Sequence, residues 1–146
     1  YLQQLHQQFM REVIQPLILP KAQALIEKHR AAGDELLIIT ATNRFITQPI
    51  GEAFGIAQVL ATEPQLINDR YTGKVLGVPC YKEGKITRYQ AWLSEQNKSF
   101  DKVFFYSDSH NDLPLLSIVD EPIVVDPDPK LLAYAREKGW QIMSLR

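Results

Sequence analysis

Two carboxylates four residues apart, Asp108 and Asp112, follow directly on an apolar run of Val103, Phe104, Phe105 and Tyr106. Acids just past the carboxyl end of a buried strand sit where open α/β sheets bind ligands, and hard oxygen donors there suit Mg²⁺. The same residues also read as a capped strand-to-helix turn, because Asp, Ser and Asn favour caps and turns on their own account. Spacing alone leaves both readings open. A second close pair of acids, Asp126 and Asp128, follows Ile123, Val124 and Val125. Pro127 and Pro129 remove backbone N–H groups that a phosphate cradle needs, and Asp128 followed by Pro129 suits a helix N-cap and first turn.

The elements that must position these acids can be followed along the chain. Leu2, Leu5, Phe9 and Val13 recur at helical spacing, so the first segment is an amphipathic helix, punctuated by Pro16 and Pro20. A second helix over 21–32 carries Ala22, Leu25 and Ile26 on one face and stops at Gly33. Residues 36–39 are continuously apolar, as in a strand covered on both faces of a parallel sheet. Thr47 and Pro49 mark a helix that closes near Phe54 and Gly55, and 58–61 is a short strand. Alternation of polar and apolar residues over 63–78, around Asn68, Asp69 and Gly73, predicts a β-hairpin outside the main sheet. Ile86, Tyr89, Trp92 and Leu93 form one face of a helix starting near Lys85. Strands at 102–107, 122–125 and 140–143 then alternate with helices at 112–118 and 129–138. That alternation predicts βαβ units on a parallel sheet, an α/β Rossmann-like architecture with helices on both faces. Trp92 and Trp140 are read as packing residues, since no basic stripe accompanies them as a stacking platform would need.

The 146 residues, 45% of them apolar, suffice for one ordinary core. A net charge of −1 gives no field to attract nucleic acid or an anionic membrane, so a small polar substrate fits better. No run approaches the roughly 18 apolar residues of a membrane span. The single cysteine, Cys80, has no partner for an internal disulfide and agrees with a reducing cytoplasm.

Taken with two other segments, the acidic loop resembles the haloacid dehalogenase superfamily of aspartate-nucleophile phosphatases, in the branch that contains phosphoserine phosphatase. Asp108 and Asp112, with Asn111 and the following Leu113, Pro114 and Leu115, match that family's fourth motif. Thr40, after Leu36, Leu37, Ile38 and Ile39, matches its second, and Lys85, after Gly77 to Gly84, matches its third. The resemblance covers nearly the whole chain and implies a Mg²⁺-dependent phosphomonoesterase working through an aspartyl-phosphate. It assigns Mg²⁺ to Asp108 and Asp112. It assigns phosphate binding to Thr40, to the Ala41 backbone N–H, to Lys85 and to Asn111. Asn43 and Arg44 follow the second motif, where Arg44 would meet a carboxylate or second phosphate of the substrate. Two residues depart from the pattern: Ser107 stands where the superfamily usually has Gly, and Thr40 where the nearest relatives tend to have Ser.

The nucleophile and acid/base of such enzymes lie in a D-x-D-x-[TV] motif on an earlier first strand, and no matching strand occurs here. Residues 1–15 are therefore expected to be the last helix of a truncated helical cap and 16–146 the core domain, inactive alone. The missing strand would be central, so its own segment or a second chain is expected to fill the slot between 36–39 and 103–106, because buried unpaired backbone is costly. The substrate would be a small phosphorylated metabolite such as phosphoserine or histidinol phosphate. The competing expectation is a non-catalytic binding or interaction domain on a Rossmann-like scaffold.

Overall fold

A computed structural model describes all of residues 1–146, which divide into two compact units, Tyr1–Pro79 and Cys80–Arg146. The class is α/β with parallel strand pairing, as expected, and the strands form two three-stranded sheets rather than one.

The first unit opens with α1 (Leu2–Phe9), whose helical path continues through a π turn at Met10–Ile14 and a 3₁₀ turn at Gln15–Leu17. Pro16 lies in that last turn, and α2 (Pro20–Ala31) begins afresh with Pro20 in its first position, where a missing N–H costs nothing. Gly33 at φ +80 ends α2, its N–H returning to the Arg30 carbonyl. The Arg30 guanidinium reaches the two carbonyls just past the next helix, Phe54 O at 3.0 Å and Gly55 O at 3.3 Å. α1 is held on that same helix by His6, whose Nε2 lies 3.1 Å from Ile46 O and whose ring meets Phe45 edge-on.

Strand β1 runs over Ile38–Asn43, four residues beyond the expected end, and pairs in parallel with β2 (Val59–Ile67). The ladder register slips between Ile39 and Asn43, so regular pairing stops just before Thr40. α3 covers Arg44–Ala53, starting three residues before Thr47, because Asn43 supplies the cap: its Oδ1 accepts from Ile46 N–H at 3.1 Å. Pro49 falls inside this helix instead of marking its start.

The short strand and the first hairpin arm expected at 58–61 and after 63 are one continuous strand. β2 pairs with β1 through its first half and with β3 (Arg70–Leu76), antiparallel, through its second. The hairpin therefore extends the sheet it was expected to lie outside. Asn68 and Asp69, at φ +50 and +60, make the two-residue turn that the twist of a hairpin favours.

Gly51 fixes how closely α3 approaches β2. A Cβ there would lie 2.8 Å from Val59 Cγ2 and 2.9 Å from Ile56 O. Gly51→Ala is therefore expected to destabilise the fold by about 1–3 kcal/mol, the usual range for overpacking, in denaturant titration. An unchanged midpoint would mean that the helix can retreat freely.

The second unit holds β4 (Phe104–Ser107), β5 (Glu121–Val125) and β6 (Gln141–Met143), all parallel, in that spatial order. They alternate with α4 (Glu83–Glu95), α5 (Leu113–Leu116) and α6 (Pro129–Lys138). Leu116, Val124, Leu131 and Ala135 are fully buried, with Trp140 packed against them, while Trp92 stacks on Phe100 at 5.8 Å. Both tryptophans pack, as the sequence suggested. β1 and β4 each stand at the end of the strand order of their sheet, beside β2 and β5 respectively. No helix is long and apolar enough to cross a membrane.

Candidate active site

The carboxyl end of β4 carries the densest polar arrangement in the second unit. Ser107 ends the strand and is buried; the chain then passes through exposed Asp108 to a single 3₁₀ turn at His110–Asp112 that leads into α5. Ser109 caps that turn, its Oγ accepting from Asn111 N–H at 3.2 Å. The two acids end up in opposite environments: four positions along a tight turn take one carboxylate out to water and the other into the core.

Asp112 is only 7% exposed and both its oxygens are engaged. Oδ1 lies 2.6 Å from Lys85 Nζ, and Oδ2 accepts from Ser107 Oγ at 2.6 Å. Lys85, also 7% exposed, is the third residue of α4. A cation at a helix N-terminus opposes the dipole, and a buried cation is costly unless paired. The Asp112 carboxylate answers both. Ser107, a departure from the expected Gly, provides the hydroxyl that seats this carboxylate. The turn that delivers Lys85 is strained at Lys82, a non-glycine residue at φ +48, and closes through Lys85 N–H to Lys82 O at 3.0 Å. Tyr81 on that turn donates its hydroxyl to Asn111 Oδ1 at 3.2 Å, linking the lysine segment to the acidic loop. The side chain of Asp108 makes no hydrogen bond or ion pair; only its carbonyl is used, accepting from Asp128 N–H at 2.8 Å.

Asp128 caps α6 as the sequence indicated, and it also reaches the acidic loop, which spacing could not reveal. Its Oδ1 accepts from Leu131 N–H at 2.8 Å, and its Oδ2 accepts from His110 N–H at 2.6 Å and lies 2.9 Å from His110 Nδ1. Burial alone would raise its pKa; the N–H groups of Leu131 and His110 and the His110 ring outweigh that and hold it down at about 2, against an ordinary 3.8. A depressed folded value means that the carboxylate's contribution is complete above pH 3.8 and drains away as pH falls through about 2. The melting-temperature gap between wild type and Asp128→Asn is therefore expected to hold steady down to about pH 5 and to narrow below pH 4. A gap that persists at the acid end would contradict this.

The candidates in the first unit are placed differently from one another. Thr40 sits at the register slip of β1, and its Oγ1 accepts from Thr42 N–H at 3.2 Å. Ala41 is exposed. Asn43, expected to face a substrate, has its side-chain oxygen committed to capping α3. Arg44, expected to meet a substrate anion, is bound instead to Glu63 Oε1, by Nε at 2.7 Å and Nη2 at 2.6 Å, and to Gln48 Oε1 by Nη1 at 3.0 Å. Asn43 thus serves the start of α3, and Arg44 ties α3 to β2.

The donor set bears on the cation the acids suggest. No three His, Cys, Asp or Glu side chains converge on one point. Mg²⁺ is commonly held by one or two carboxylates, the remainder of its shell being water and substrate phosphate. The unpartnered Asp108 carboxylate fits that demand as one ligand. Asp112 has one partner on each oxygen, Lys85 and Ser107, and is buried.

Comparison with known proteins places the chain in a family. The family model for haloacid dehalogenase-like hydrolase matches residues 1–117. A histidinol-phosphatase of Neisseria meningitidis serogroup C is 46% identical over 99% of the chain and 67% of its own length. A phosphoserine phosphatase of Mycobacterium tuberculosis is 30% identical over 92% of the chain and 44% of its own length. A crystal structure of a protein of unknown function from Bordetella pertussis Tohama I superposes with a TM-score of 0.96 at 42% identity, covering 99% of the chain and 66% of that structure. The chain thus spans between about two fifths and two thirds of the length of these relatives.

Proposed function

Since the chain belongs to the haloacid dehalogenase-like hydrolases, we propose that the protein it represents is a Mg²⁺-dependent phosphomonoesterase acting on a small phosphorylated metabolite through an aspartyl-phosphate. The observation that carries this reading is the division of labour at the end of β4, an unpartnered exposed carboxylate on Asp108 beside a buried Lys85–Asp112 pair.

Phosphoryl transfer to an enzyme carboxylate asks for a nucleophile, charge neutralisation, donors for the phosphate oxygens and a proton for the leaving alcohol. When bound at Asp108, Mg²⁺ supplies charge neutralisation at the phosphate. Lys85 offers an ammonium as a point charge toward phosphate and nucleophile. Asp112 acts by holding that ammonium extended and charged inside the fold, so its role is to position Lys85 rather than to bind the cation. The Thr40 hydroxyl and Ala41 N–H, at the register slip of β1, serve the phosphate oxygens. Asn111 keeps its NH₂ for a substrate oxygen while Tyr81 holds its carbonyl. The 146 residues contain no D-x-D-x-[TV] sequence, so the nucleophile and acid/base come from another strand. Such a strand belongs to the same protein's further residues or to a second chain. Residues 1–15 belong, in this reading, to a helical cap.

Histidinol phosphate is the first substrate to test, because the relative at 46% identity is named for it; phosphoserine is the second. Phosphate release from a panel of phosphomonoesters, measured with and without Mg²⁺ on the whole protein and on the 146 residues alone, tests the proposal. Mg²⁺-dependent turnover by the whole protein and none by the shorter chain is expected. No turnover by either would favour a binding domain.

A further inference from the structure

We infer that Asp128 is the positioning residue of the acidic loop, fixing the backbone that carries Asp108; the inference rests on the cation-binding reading of Asp108 given above. Four contacts converge on Asp128. Its N–H donates to the Asp108 carbonyl at 2.8 Å. Its Oδ2 accepts from His110 N–H at 2.6 Å and lies 2.9 Å from His110 Nδ1. Its Oδ1 accepts from Leu131 N–H at 2.8 Å.

Capping α6 needs only the last of these. A serine hydroxyl caps about as well as an aspartate, so the second oxygen's bonds to His110 exceed what the helix requires. They tie His110, two residues past Asp108, to the turn between β5 and α6, while the Asp128 N–H holds the Asp108 carbonyl itself. Asp108, between His110 and the strand, has no side-chain bond of its own. The place its carboxylate occupies is therefore set by its backbone, and that backbone is set by Asp128 and by the end of β4. Loss of such an outer partner typically weakens cation binding about 10- to 100-fold.

Two substitutions in the whole protein separate this role from capping. Asp128→Ser keeps an acceptor for Leu131 N–H and gives up the bonds to His110. His110→Ala removes the ring contact and leaves the cap untouched. Mg²⁺ affinity is read by calorimetric titration without substrate, alongside amide hydrogen exchange over residues 108–112 and 129–132. Wild type is expected to bind Mg²⁺ and Asp108→Asn to lose it, with binding about tenfold or more weaker in Asp128→Ser and weakened to a lesser degree in His110→Ala. Exchange should quicken at His110 and stay slow at Leu131. Wild-type affinity in both variants, with Asp108→Asn inactive in binding, overturns the inference and leaves the functional reading standing. Binding that is absent in wild type, or indifferent to Asp108→Asn, overturns the reading of Asp108 and the inference with it. If Asp128→Ser does not fold, His110→Ala decides: unchanged affinity and unchanged exchange refute the role.

Discussion

Asp108→Asn in the whole protein is expected to abolish phosphate release, by about 10³-fold or more, while the melting temperature stays at the wild-type value. The two halves of this expectation come from the same observation. The Asp108 side chain is exposed and makes no hydrogen bond or ion pair, so the fold has nothing invested in its charge. An amide of the same shape removes the charge and changes little else. Its chemical environment points the other way: an unpaired carboxylate at the carboxyl end of a parallel strand is where an α/β sheet presents ligand groups. A residue of no structural value whose loss stops turnover is a functional residue by the plainest criterion. Comparable turnover by Asp108→Asn at saturating Mg²⁺ would remove the acidic loop from the mechanism.

The reverse pattern is expected at the neighbouring acid. Asp112→Ala should destabilise the protein by about 3–5 kcal/mol, the range for breaking a buried ion pair, because it strands the Lys85 ammonium in an interior where it is 7% exposed. Ser107 loses its acceptor at the same time. Activity falls as well, and that loss alone would be ambiguous. Pairing the change with Lys85→Met resolves it: with both charges gone the buried site is apolar and much of the stability should return, as replacing a buried pair by hydrophobic residues is often neutral. Activity should not return, since the ammonium is gone. Denaturant midpoints and phosphate release on the two single variants and the double give the coupling directly. If Asp112→Ala melts like wild type, Lys85 has found water or another partner, and the proposed role of Asp112 falls.

How far the sequence was readable varied along the chain for definite reasons. The second unit was legible almost to the residue because local signals and tertiary structure agree there. Asp128, Pro129 and Gly139 bracket α6 with cap, first-turn proline and left-handed stop. In the first unit they conflict. Pro49 reads as a helix start, yet Asn43 already caps the helix six residues earlier, and a proline is carried inside. Residues 58–61 and 63–78 read as a short strand and a separate hairpin, but β2 runs through both by changing partners, parallel to β1 up to Thr62 and antiparallel to β3 from Glu63. Site residues divide in the same way. The acids of the β4 loop are neighbours in sequence and were found together. Lys85 with Asp112, Arg44 with Glu63 and Asp128 with His110 meet only in three dimensions. Arg44 shows the cost of judging a residue by its motif neighbours: its charge is answered from β2, nineteen positions away.

The hairpin arm β3 carries a practical consequence. It is the outer strand of its sheet and exposed along its whole length, with Leu66, Ile67, Tyr71, Val75 and Leu76 of the two arms open to solvent. A strand of that kind invites a copy of itself to dock edge to edge and start an aggregate. Arg70 and Lys74 flank the apolar positions, and Gly73 at φ +80 bends the strand out of the flat shape a stacked ribbon requires. These three residues act as gatekeepers, and removing them would be felt first in the yield of soluble protein, before any effect on turnover.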